Sequence, residues 1–151
     1  MYLKELTIYG FKSFGTKSQL DFVHQGKRAQ ITAIVGPNGS GKSNIADAVR
    51  WVLGEQSSGL LRGKKTEDVI FFGSEKHHRG AYAEIALTLA GEKEITVEIN
   101  DKKLSFKEIE IARKLYRSGE SEYLINRRKA RLVDIQQLMA SLGFGQSTYS
   151  I

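Results

Sequence analysis

Eight consecutive residues, Gly36-Pro37-Asn38-Gly39-Ser40-Gly41-Lys42-Ser43, satisfy the pattern G-x-x-x-x-G-K-[ST] without a mismatch. The residue types follow from what a polyphosphate needs. Glycines let the backbone curl closely enough for successive N–H groups to point inward as donors. A helix beginning just after the loop adds the partial positive charge of its N-terminus. The Lys42 ammonium can reach β- and γ-phosphates, and the Ser43 hydroxyl can ligate Mg²⁺. Hydrolysis asks for more: a carboxylate at the end of a second apolar strand to hold the metal, and a group to polarise water. Leu132-Val133-Asp134 comes nearest, but its surroundings have helical periodicity, so Asp134 reads as an exposed helix residue. Glu67 and Asp68 precede their apolar run, which is the wrong order. The expectation is a nucleoside triphosphate site, with Lys42 supplying charge to the phosphates, that binds nucleotide but lacks a complete catalytic set.

The elements around the loop have the order it requires. Gln30 to Val35 is a short apolar run and predicts a strand buried on both faces. After the loop, Ile45, Ala48, Val49, Val52 and Leu53 recur at three- and four-residue spacing, predicting a helix ended by Gly54. Upstream, Tyr2 to Ile8 alternates with Leu6 and Ile8 on one face, and Gln19 to Val23 reads as a further strand. Tyr82 to Leu89 and Glu94 to Asn100 alternate on either side of Ala90 to Lys93, a plausible hairpin loop. Glu108 to Tyr116 and Glu122 to Ile125 repeat the arrangement, giving an antiparallel meander with one polar face. Leu132, Ile135, Leu138, Met139 and Leu142 return to helical spacing before Gly143.

Composition bounds the partners. The chain has 151 residues, 40% hydrophobic and 26% charged, which suits one domain of ordinary size and not a disordered chain. It has no cysteine and three histidines, His24, His77 and His78, which excludes disulfides, thiolate zinc sites and a histidine cage. No apolar stretch is long enough to span a bilayer, and the first residues lack the features of a signal peptide, so a soluble intracellular protein is expected. Lys and Arg number 23 against 17 Asp and Glu, a net charge of +6. The segment Asp101 to Arg131 holds ten of the former and five of the latter, so five of the six excess charges lie there. Arg127, Arg128, Lys129 and Arg131 are its densest cluster, able to neutralise phosphates without reading sequence. A merely solvated face, or a patch paired with acids elsewhere, is the competing reading.

Beyond the phosphate loop, Gly10-Phe11-Lys12-Ser13-Phe14, Trp51-Val52-Leu53-Gly54-Glu55-Gln56-Ser57, Leu61-Arg62-Gly63 and Asp68-Val69-Ile70-Phe71 resemble the start of bacterial SMC proteins. Gly73-Ser74, Tyr116 to Asn126 and Tyr149-Ser150-Ile151 continue the resemblance, which is weakest from Ala90 to Glu108. It implies an α/β fold, the P-loop half of an ABC-type ATPase head: a mixed β core around the P-loop helix, with an antiparallel β-meander. Residues 1–151 would then be the N-terminal lobe, a fragment or engineered half-head. The signature motif, the magnesium-binding carboxylates, the coiled coil and the hinge would lie elsewhere.

The cofactors so implied are ATP and Mg²⁺. The triphosphate would lie against Gly36, Pro37, Asn38, Gly39, Ser40, Gly41, Lys42, Ser43 and Asn44, with Ser43 on the metal. Lys12 and Ser13 resemble positions near base and phosphates. Asp68 lies in a loop approaching the base, and Arg62 resembles an arginine reaching toward ATP or DNA between engaged heads. The implied partners are the C-terminal half of the head, a second head as homodimer, DNA and a kleisin-type subunit, in the cytoplasm on the nucleoid and away from membranes. Asn126 to Lys129 is more charged than the usual family turn. Two other readings compete: the head of another ABC-type DNA-repair ATPase and a stand-alone P-loop NTPase. A third makes the chain a DNA-binding module with an incidental phosphate loop.

Overall fold

The computed structural model describes residues 1–22, 31–54, 66–99 and 102–143. Strands β1 (Tyr2–Tyr9) and β2 (Ser18–Asp21) precede helix α1 (Lys42–Val52) and a 3₁₀ turn at Thr66–Val69. Strands β3 (Tyr82–Ile99), β4 (Lys102–Tyr116), β5 (Ser121–Ile125) and β6 (Arg128–Ala130) follow, then helix α2 (Leu132–Ser141). The six strands form one antiparallel sheet in the order β2-β1-β3-β4-β5-β6. Register puts apolar side chains in rows across it. Leu6 faces Leu87, Leu87 faces Ile111, and Ile111 faces Ile125, and all four are buried. Period-two alternation thus gives the sheet one apolar face. Ala48, Trp51 and Val52 of α1 and Ile135, Leu138 and Met139 of α2 complete that core. Trp51 is its largest fully buried side chain, tilted against Phe11 with ring centroids 5.4 Å apart.

Two expected elements come out differently. Ile31 to Pro37 forms no strand; Ile31 is 97% exposed and Val35 91%. An apolar run becomes a doubly buried strand only with strands on both sides of it. The described sheet gives this segment no neighbour, since its edges are β2 and β6. The second correction concerns Ala90 to Lys93, which is no hairpin loop. β3 runs straight through, pairing with β4 before and after a register shift between Ala90 and Ile95. Ile85, Leu87 and Leu89 therefore do not fold back on Ile95, Val97 and Ile99; all six belong to one strand. Alternation is the same on both sides of a bulge or of a turn, which is why the pattern left them indistinguishable. Ile99 of β3 pairs instead with Lys102 of β4.

The remaining elements match their patterns. Gly54 (φ +106°) follows α1 and Gly143 (φ +81°) follows α2, both in the conformation that ends helices cheaply only for glycine. Asp134 is not the exposed helix residue that periodicity suggests. It is buried, accepting hydrogen bonds from the Arg131 backbone N–H at 2.7 Å and from the Arg131 guanidinium at 2.9 Å. A carboxylate at the third helical position satisfies an orphan donor at the N-terminus, and that need outweighs its preference for water. Among the described residues no helix is long and apolar enough to cross a membrane.

Candidate nucleotide site

The site is built where the β1 exit loop meets the start of α1. Gly41 stands at the N-cap of α1 with φ +92°, and Gly39 has φ +80°. A side chain at Gly41 would be strained by that dihedral and would put Cβ 3.0 Å from Ser13 Oγ. The first turn of α1 carries no acidic residue, and no side chain caps it. Helix starts ordinarily recruit Ser, Thr, Asp or an early Glu to answer their N–H groups and positive end. Omitting both leaves that end to be answered by an external anion. The Lys42 ammonium lies over the loop, donating to the carbonyls of Gly36 and Pro37 at 2.6 Å each.

Lys12 and Ser13 are brought to this loop. Asn44 Nδ2 donates to Ser13 Oγ at 2.8 Å, tying the β1 exit to the first turn of α1. Lys12, itself at φ +49°, pairs with Asp47 Oδ2 at 2.5 Å. Asp47 is 2% exposed and also lies 3.9 Å from Arg50. The exit loop is held from the other side as well. Lys12 N–H donates to the Val69 carbonyl at 2.7 Å, and Phe71 N–H to the Gly10 carbonyl at 2.8 Å. Asp68 therefore stands on the 3₁₀ turn that anchors Lys12. Arg62 lies outside the described residues, as do the resemblance blocks at 55–57, 61–63 and 149–151.

ATP and Mg²⁺ fit this donor set in part. Three glycines, Lys42 and an uncapped helix start suit a polyphosphate, and the exposed Ser43 hydroxyl can supply one oxygen to a magnesium ion. The other ligands of such an ion commonly come from phosphates and water. Among the described residues no group of three or more acidic, histidine or cysteine side chains is placed to hold a metal.

Sequence reasoning missed two residues here. Asp47 sits four residues before Trp51 on the buried stripe of α1, and a carboxylate at that spacing was the available signal. Arg113 occupies an inward position of β4, between Ile111 and Leu115. Buried, it donates to the Trp51 carbonyl at 2.9 Å, and its guanidinium lies 4.4 Å from the Trp51 ring and 4.9 Å from that of Tyr123. A cation at the C-terminal end of α1 answers the negative end of the helix and fixes it to the sheet.

The basic cluster is elsewhere. Asn126 and Arg127, both with positive φ, make the tight turn between β5 and β6 that carries it. Lys129 pairs with Glu122 at 2.6 Å, which raises the lysine pKa and lowers that of the carboxylate through the hydrogen bond they share. Arg127 approaches Glu110 only to 4.0 Å, and Arg131 reaches Asp134, holding that carboxyl below its ordinary range through hydrogen bonds. Arg128 makes no ion pair among the described residues.

Comparison with known proteins shows the family and the fold. Residues 2–150 match the model of the RecF/RecN/SMC N terminal domain. The chromosome partition protein Smc of Bacillus subtilis is 48% identical over 151 residues, all of this chain but 12% of that protein's length. A chain solved in work on ATP-driven dimerization and DNA-stimulated activation of SMC ATPases superposes with a TM-score of 0.85 at 34% identity, covering 100% of this chain and 85% of that one. An Smc head bound to the C-winged helix domain of ScpA gives 0.80 at 34% identity, covering 93% of this chain and 41% of that one.

Proposed function

Because the chain belongs to the RecF/RecN/SMC N-terminal domain family, we propose that it is the ATP-binding lobe, residues 1–151, of an SMC-type head. The observation that carries the reading is the helix start at Gly41–Lys42, which has neither cap nor acid and stands beside Ser13, itself hydrogen-bonded to Asn44. In this reading Gly36 to Asn44 embrace the triphosphate, and Ser43 offers an oxygen to Mg²⁺. Lys42 leaves the loop carbonyls for the β- and γ-phosphates, and Lys12, Ser13, Asp68 and Arg62 lie toward the nucleotide. The exposed apolar run Ile31–Val35 supports a second lobe, since those side chains meet water until another strand covers them. That lobe would bring the carboxylates hydrolysis needs, so this chain alone binds ATP without turning it over.

ATP would then join two such heads, and hydrolysis would part them, driving DNA organisation in chromosome condensation and segregation in the cytoplasm. A kleisin-type subunit would join the assembly, as ScpA joins the Smc head solved with it. Arg127, Arg128, Lys129 and Arg131 would meet DNA phosphates. The test is to assay phosphate release by this chain alone and together with the separately expressed C-terminal half of its own coding sequence. Turnover only in the mixture, abolished by Lys42→Ala, supports the reading. Robust turnover by this chain alone, sensitive to Lys42→Ala, overturns it.

A further inference from the structure

A second surface, formed by the loop between the 3₁₀ turn and β3, is built to present an aromatic ring among cations. The loop is closed at its base, where Gly80 N–H donates to the Phe71 carbonyl at 3.0 Å. The Arg117 side chain clamps the same two residues, donating to the Gly80 carbonyl at 2.6 Å and the Phe71 carbonyl at 3.2 Å. Inside it, Ser74 and His77 exchange backbone hydrogen bonds, and Ser74 Oγ accepts from the His77 N–H at 3.2 Å. Gly73, at φ +101°, makes the bend. Phe71 is buried and anchors the loop, while its neighbour Phe72 is 63% exposed.

An isolated exposed phenylalanine is ordinary. This one carries the Arg79 guanidinium 4.9 Å from its ring centroid, and Lys76, His77 and His78 are exposed on the same loop. Neither Lys76 nor Arg79 makes an ion pair among the described residues, and Glu75 is the only acid from Phe71 to Gly80. The loop's backbone bonds fix the segment that carries the ring, so a planar ligand would not have to organise the loop first.

We propose that this loop is a stacking site for single-stranded nucleic acid. An unpaired base lies on the Phe72 ring, Arg79 extends the stack, and Lys76 and Arg79 meet the flanking phosphates. The chemistry singles out a strand with free bases. A duplex offers phosphates but no accessible base face, whereas every unpaired base has a π-surface, and the combination of aromatic ring and cation serves both features of a single strand. The site is distinct from the β5–β6 turn, and it does not depend on nucleotide at the phosphate loop.

The test measures fluorescence anisotropy of labelled oligo(dT), oligo(U) and a duplex of equal length with the protein in its complete coding sequence. Phe72→Ala should weaken both single strands about 5- to 150-fold, the range expected for one lost base stack, while changing duplex affinity less than about twofold. Phe72→Trp should retain binding, and its added emission, read as a difference from the unsubstituted protein, should be quenched by oligo(dT). Arg79→Gln should lower the slope of log affinity against log salt by about one. Unchanged single-strand affinity in Phe72→Ala, equal loss on the duplex, or an unquenched tryptophan overturns the proposal. With no nucleotide present, Lys42→Ala should leave the single-strand affinities unchanged, so a failed ATP site and a failed stacking site are told apart.

Discussion

The Lys12–Asp47 pair joins the β1 exit loop to the helix that follows the phosphate loop, and its removal has a calculable cost. Asp47 is 2% exposed and Lys12 14%, with Nζ and Oδ2 2.5 Å apart. Asp47→Ala deletes the buried carboxylate and takes away the partner of a Lys12 ammonium that is itself mostly buried beside Phe11. Breaking one side of a buried pair costs about 3–5 kcal/mol, mostly the desolvation of the stranded charge. For a chain of this size, about 2–4 °C of melting temperature goes with each kcal/mol, so a fall of about 6–20 °C is expected. Replacing both partners, as Lys12→Met with Asp47→Leu, removes the stranded charge and should restore stability to within about 1–2 kcal/mol of the original. The double variant separates packing from chemistry, because it should melt near the original yet bind ATP more weakly if Lys12 faces the phosphates. Thermal unfolding followed by circular dichroism, paired with an ATP titration, reads both quantities. A melting temperature unmoved in Asp47→Ala, or a double variant as unstable as the single one, would show that the pair does not hold the loop.

Three other outcomes follow from the same geometry. Gly41→Ala should lower ATP affinity more than tenfold and cost about 1–3 kcal/mol of stability, since it strains a +92° φ and crowds Ser13 Oγ; isothermal titration calorimetry and thermal unfolding measure the two effects. Arg113→Met should destabilise the chain by about 1–3 kcal/mol in urea unfolding, because the Trp51 carbonyl loses a buried donor. Asp134→Asn should be less stable than the original at neutral pH. Because the folded carboxyl titrates below its ordinary value of about 4, the original's advantage is full above that pH and disappears as the pH falls through the folded value. Urea midpoints for both proteins across pH 2 to 7 should therefore converge at the acid end.

Local pattern was enough wherever one face or one motif dictates the outcome. Leu6 and Ile8, Ile109 and Ile111, and the 45–53 stripe each point one way because period two or 3.6 leaves no other arrangement that buries them. The phosphate loop was legible for a different reason, since its glycines are demanded by backbone angles that appear at Gly39 and Gly41. What stayed hidden depends on partners distant in sequence. Ile31 to Val35 carries the pattern of a buried strand and is exposed, because strand formation there requires neighbours that β2 and β6 do not provide. The irregularity between Ala90 and Ile95 keeps the same alternation as a turn, and only the pairing with β4 distinguishes them. Asp47, Arg113 and Asp134 are polar residues at apolar positions, each made tenable by a partner that periodicity does not name.

The most direct check on the account is an equilibrium titration of a fluorescent ATP analogue, with Mg²⁺, against this chain and its Lys42→Ala variant. The arrangement of Gly36 to Asn44 against Lys12 and Ser13 predicts saturable binding at one site. It further predicts a loss of at least tenfold in affinity on removing the ammonium, with the melting temperature of the free variant unchanged. Equal affinity in the two proteins, or no saturable binding by a folded chain, would contradict the central claim that this loop holds a nucleoside triphosphate.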